Sequence, residues 1–107
     1  MPDPADRRAA ERFAVNVDTS CTFISPVVEN FGPAKLTSLS MAGIGFFMGS
    51  RVEKDALVAI TLENRGKGFS KTVVVRVAHA THQLGGWLVG GTFVTPLTYQ
   101  ELTILVM

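Results

Sequence analysis

The chain has 107 residues, which is room for one domain around one hydrophobic core. Hydrophobic residues make up 47% and charged residues 18%, a balance that excludes a disordered chain because enough apolar surface can be buried. Ten basic against nine acidic side chains leave a net charge of +1, which excludes a strongly basic DNA- or RNA-binding protein and confines any anion site to a local cluster.

Residues 1–12 carry Pro2, Pro4 and a high density of charge, and read as a flexible, arginine-containing leader to a single domain over 13–107. The opening Met-Pro-Asp-Pro-Ala-Asp-Arg-Arg lacks the apolar core of a secretory signal. No apolar run approaches the ~20 residues that cross a bilayer, so no membrane span is expected and the expected location is cytoplasmic. From Phe13 the pattern takes the two-residue period of a strand, with Phe13, Val15 and Val17 on one side. A second β stretch is expected over 21–24, ending at Ser25-Pro26, and Asn30-Phe31-Gly32-Pro33 is a turn signal.

Residues 34–39 read as another strand, broken by Ser40-Met41-Ala42-Gly43, and 44–48 resume an apolar run. Residues 57–62 alternate, with Val58, Ile60 and Leu62 on one face; 64–68 form a flexible hairpin connection. The β-branched run 72–80 is the clearest strand, with Val73, Val75 and Val77 on one face. Residues 82–86 turn the chain and 87–93 return it. Short strands at this spacing predict an all-β fold, an antiparallel barrel or a sandwich. Thr98-Tyr99-Gln100-Glu101 fits a capping box, and a short C-terminal helix follows, with Tyr99, Leu102 and Val106 on one face and Leu105 beside them.

Catalysis finds no support. His79 and His82 are three apart, but a zinc site needs at least a third ligand at a suitable spacing. The single cysteine, Cys21, excludes an internal disulfide and a cysteine-rich zinc site. No nucleophile elbow surrounds a serine, Gly66-Lys67-Gly68 lacks the frame of a phosphate-binding P-loop, and the carboxylates are scattered. No catalytic residue, metal or cofactor is therefore expected.

Two clusters remain. Arg7-Arg8-Ala9-Ala10-Glu11-Arg12 precedes the first strand, and guanidinium groups offer planar donor forks to phosphates and guanine edges. Ser38-Leu39-Ser40-Met41-Ala42-Gly43 lies between two strands. Ser38 and Ser40 are two apart and are expected on one face, while Gly43 admits close approach of a ligand to the backbone.

In this order, an Arg-x-x-x-Arg motif (Arg8, Arg12) and an x-x-Ser-x-x-Gly motif (Ser40, Gly43) resemble the PilZ family. Gly43-Ile44-Gly45-Phe46, the Val-rich 73–78 and Trp87-Leu88-Val89-Gly90-Gly91-Thr92-Phe93 extend the resemblance over roughly residues 7–102. It implies a six-stranded antiparallel β-barrel with a helix, and cyclic di-GMP, a bacterial second messenger, as the ligand. It further implies that Arg8 and Arg12 contact guanine edges and phosphates, that Ser40 and Gly43 complete the cradle, and that Arg7 reaches a phosphate or a second ligand molecule.

Ser38 stands where the family has Asp or Asn. A hydroxyl cannot accept two hydrogen bonds from the guanine edge as a carboxylate does, a loss on the order of 1.5–3 kcal/mol. The resemblance thus leaves two readings: a cyclic di-GMP receptor acting on a downstream protein partner, or a PilZ-like protein-interaction module that no longer binds nucleotide. Both a monomer and a dimer fit the apolar ending at 102–107.

Overall fold

A computed structural model describes residues 12–24 and 34–107. Six strands follow in chain order: β1 (Thr19–Ile24), β2 (Ala34–Leu39), β3 (Gly43–Met48), β4 (Leu57–Asn64), β5 (Phe69–Gln83) and β6 (Gly86–Phe93). One helix, α1 (Tyr99–Val106), follows them. The spatial order is β1-β4-β5-β6-β3-β2, and each neighbouring pair is antiparallel. The edge strands β1 and β2 approach each other, so the sheet curls into a nearly closed barrel. Across that seam the Cys21 thiol lies 3.9 Å from the Ala34 carbonyl oxygen. The strand spacing leaves a barrel and a sandwich open; the structure is the six-stranded antiparallel barrel with a short C-terminal helix.

Alternation builds the core. Ile60 and Leu62 of β4, Val75 and Val77 of β5, and Ile44, Phe46 and Met48 of β3 are all fully buried, while the residues between them face outward or are glycine. Phe23 of β1 meets Phe46 edge to face with ring centroids 5.1 Å apart, an arrangement favoured by the aromatic quadrupoles.

The expected strand over 13–17 does not form. Phe13 makes a single bridge to Leu39, and Val17 is 94% exposed. The cause is local: the Asn16 side-chain oxygen accepts from the Asp18 N–H at 2.8 Å, and the Asn16 carbonyl accepts from the Thr19 N–H at 2.9 Å. An Asx turn of this kind competes with strand pairing and delays β1 to Thr19.

The capping box at the start of α1 is present: Thr98 Oγ1 accepts from the Glu101 N–H at 3.1 Å, and the Glu101 carboxylate accepts from the Thr98 N–H at 2.8 Å. At the other end three side chains satisfy carbonyls that a helix leaves free. Asn64 donates to Ile104, Thr19 to Leu105 and Asn16 to Met107. The buried stripe is Leu102 and Leu105, with Val106 packed beside it. Tyr99, expected on that face, is 73% exposed, because at 100° per residue it lies about a quarter turn from the centre of the Leu102–Leu105 stripe.

Candidate functional site

The outer face of the barrel between β2 and β5 brings together Arg12, Ser38 and Gly43. Phe13 pairs with Leu39 in both directions: its N–H donates to the Leu39 carbonyl at 2.8 Å, and the Leu39 N–H donates back at 3.0 Å. Leu39 is fully buried, so this bridge anchors the chain at the end of β2 and fixes where Arg12 emerges. The Arg12 guanidinium donates from Nη1 to Ser38 Oγ at 3.3 Å. It lies over β3, where a side-chain carbon at Gly45 would sit 3.4 Å from Nη1 and one at Gly43 would sit 3.6 Å from Nη2. Glycines at both positions leave the guanidinium room to lie close against the strand.

Ser38, Gly45, Gly90 and His79 form one continuous cross-strand row, since Ser38 pairs with Gly45, Gly45 with Gly90, and Gly90 with His79. The imidazole of His79 occupies the space a side chain at Gly90 would need, with Nε2 2.7 Å from that position. The flanking rows bring two more exposed cations to the same face: Lys35 pairs with Phe47 on one side, and Arg76 pairs with Thr92, itself opposite Gly43, on the other. No acidic residue occupies these rows. On a chain of net charge +1, Arg12 thus lies on the glycine floor, and Lys35 and Arg76 are exposed on the flanking rows of the same face.

Both ends of the central row depend on a β-bulge. The register shifts between Leu36 and Ser38 in β2, and again between Val77 and His79 in β5. In an uninterrupted ladder Ser38 would point inward with Leu36, and His79 inward with Val77. The extra residues Thr37 and Ala78 reverse that parity and turn both side chains onto the outer face.

Of the residues expected to bind ligand, Arg12, Ser38 and Gly43 are brought together. Ser40 is not on the surface beside Ser38; it is 2% exposed. Its hydroxyl accepts from the Gly43 N–H at 2.9 Å, and its own N–H donates to the Gly43 carbonyl at 2.9 Å. Ser40 therefore locks the turn from β2 to β3 and fixes where Gly43 begins the next strand. Arg7 and Arg8 lie outside the described residues. His79, Gly45, Gly90, Lys35 and Arg76 were not marked as site residues by sequence reasoning. For His79 alone a local signal exists: the core-facing residues Val77 and Ala80 are three apart, where a regular strand spaces them by two.

Among the described residues, no group of three or more His, Cys, Asp and Glu side chains converges to hold a metal ion, and no helix is long and apolar enough to cross a membrane. The concavity on the outer side of α1, lined by Tyr99, Gln100, Thr103 and Ile104, offers no charged group. No family model, no curated protein and no solved structure matches the chain.

Proposed function

We propose that the chain is a cyclic di-GMP receptor domain that signals to a downstream protein through contact rather than catalysis. The observation that carries this reading is the Arg12 guanidinium lying on the Gly43–Gly45 strip and bonded to Ser38. The two halves of the motif pattern, remote in sequence, meet there. Among the described residues the only hydrogen bond of Arg12 is the long one to Ser38, so its other donors face solvent with the fork geometry that suits a phosphate or the O6/N7 edge of guanine. Among the described residues neither Lys35 nor Arg76 has a carboxylate partner, and both add positive charge to this face, a setting that favours a dianionic dinucleotide. Ser40 contributes by shaping the turn, and Gly43 by leaving room for the guanidinium.

Calorimetric titration with cyclic di-GMP tests the reading. The wild type should bind, and Arg12→Ala should weaken binding by roughly ten- to a hundredfold, the loss of a charge-assisted contact. Arg8→Ala should weaken it comparably. Absence of heat at about 100 µM ligand would overturn the receptor reading and favour an interaction module without nucleotide.

A further inference from the structure

The cyclic di-GMP reading assigns ligand contacts to β2, β3 and the segment before β1; from β5 it takes only the charge of Arg76, and no contact. The geometry points to one: we infer that His79 is a further ligand-contacting residue, whose imidazole stacks on a base of the bound dinucleotide. The inference rests on that reading and adds a second wall to the site.

Three observations carry it. His79 is an exposed residue in the middle of the longest strand, on the same row as Ser38, Gly45 and Gly90. Its ring rests against Gly90, with Nε2 2.7 Å and Nδ1 3.2 Å from where a side-chain carbon would be. The neighbouring floor position is Gly45, which carries the Arg12 guanidinium. The two planar groups thus lie over Gly45 and Gly90, paired glycines of the neighbouring strands β3 and β6 that are one strand spacing of ~5 Å apart. An imidazole presents a π face to a purine, and an arginine presents donors to its edge and to phosphate.

The third observation is the pair of bulges. A bulge interrupts ladder hydrogen bonds, and bulges concentrate where a side chain must be re-aimed. Here one bulge turns Ser38 outward and the other turns His79 outward, onto the same row from opposite ends. The bulges also serve the core, since they keep Leu39 buried and Ala80 packed against it; what packing leaves open is which side chains the outward positions carry. Without the β5 bulge an imidazole would face the barrel interior beside Val77, and a small apolar residue there would serve the core better. His82 shows the contrast: it lies off the row, edge-on against Trp87 with ring centroids 4.8 Å apart.

The test titrates cyclic di-GMP into wild type, Arg12→Ala, His79→Ala, His79→Leu and His79→Phe, with thermal unfolding to confirm the fold of each. Stacking predicts that His79→Ala and His79→Leu each bind about tenfold or more weakly, while His79→Phe stays within about threefold of wild type. Proton NMR of the wild type adds a direct readout. The His79 ring resonances should shift upfield on ligand addition, with those of His82 unmoved. Equal binding by wild type and His79→Ala, with binding still lost in Arg12→Ala, would overturn the inference alone. Retention by His79→Leu equal to that of His79→Phe would replace stacking with simple apolar contact and overturn it too. No binding by wild type would overturn the receptor reading, and this inference with it.

Discussion

Two adjacent glycines of β6 face opposite sides of the sheet, so the same substitution at each tests a different property. Gly90 faces outward beneath His79, and the atoms nearest to an added methyl group there are those of the imidazole, the free end of a rotatable side chain. Gly91 faces inward, where a methyl group collides with the Val75 side chain and comes 2.9 Å from the Arg76 carbonyl oxygen. Val75 is fully buried, and neither it nor the backbone can yield cheaply. Gly91→Ala should therefore cost about 1–3 kcal/mol of stability by overpacking, measured by urea unfolding. Gly90→Ala should change stability by no more than about 0.5 kcal/mol yet displace His79 and weaken cyclic di-GMP binding. The opposite ranking would mean that the outward-facing row and the core have been exchanged.

The helix α1 is held at both ends by polar contacts, and one of them responds to acid. Glu101 receives a hydrogen bond from Lys71 and another from the Thr98 backbone, and these hold its carboxyl below the ordinary value of 4.5. In the unfolded chain Glu101 binds a proton at higher pH than in the folded one, so stability falls as pH drops from about 4.5 through the lower folded value. Glu101→Gln should lower stability at neutral pH and flatten the acid limb of the stability–pH curve; an unchanged limb would show that other carboxylates carry it. The capping box is legible in the sequence because its chemistry is local, spanning only Thr98 to Glu101. β4 and β5 are legible for a related reason: Val58, Ile60, Leu62 and Val73, Val75, Val77 hold an unbroken two-residue period. The site is less so. Ser38 and Ser40 share a face under the same rule, yet the bulge at Thr37 and the turn at Gly43 send one outward and bury the other. His79 meets Gly90 across the β5–β6 hairpin, but Gly45 joins them only through the pairing of β3 with β6, strands separated in sequence by β4 and β5, and no local spacing encodes that register.

Closure of the whole barrel depends on the seam between β1 and β2, and Cys21 lies on it. The thiol is 5% exposed, reaches toward the Ala34 carbonyl across the seam, and is pushed up to about 11 by burial. Since the thiolate is the reactive form, at pH 8 such a thiol carries roughly a hundredfold less of it than an ordinary cysteine, before any loss of access is counted. Alkylation of Cys21 should then proceed almost wholly through opened molecules, and its rate should report how often the seam parts. The Phe13–Leu39 bridge ties the Arg12 segment to β2, one of the two strands that must separate. A ligand that grips Arg12 and the β2–β3 strip only in the closed barrel slows opening by mass action, approaching a hundredfold at a ligand concentration about 100 times Kd. Under the receptor reading, cyclic di-GMP should protect Cys21 from alkylation in the wild type and much less in Arg12→Ala. Labelling as fast as in urea-unfolded protein would show the seam standing open. Protection equal in both proteins would mean that the ligand closes the barrel without Arg12.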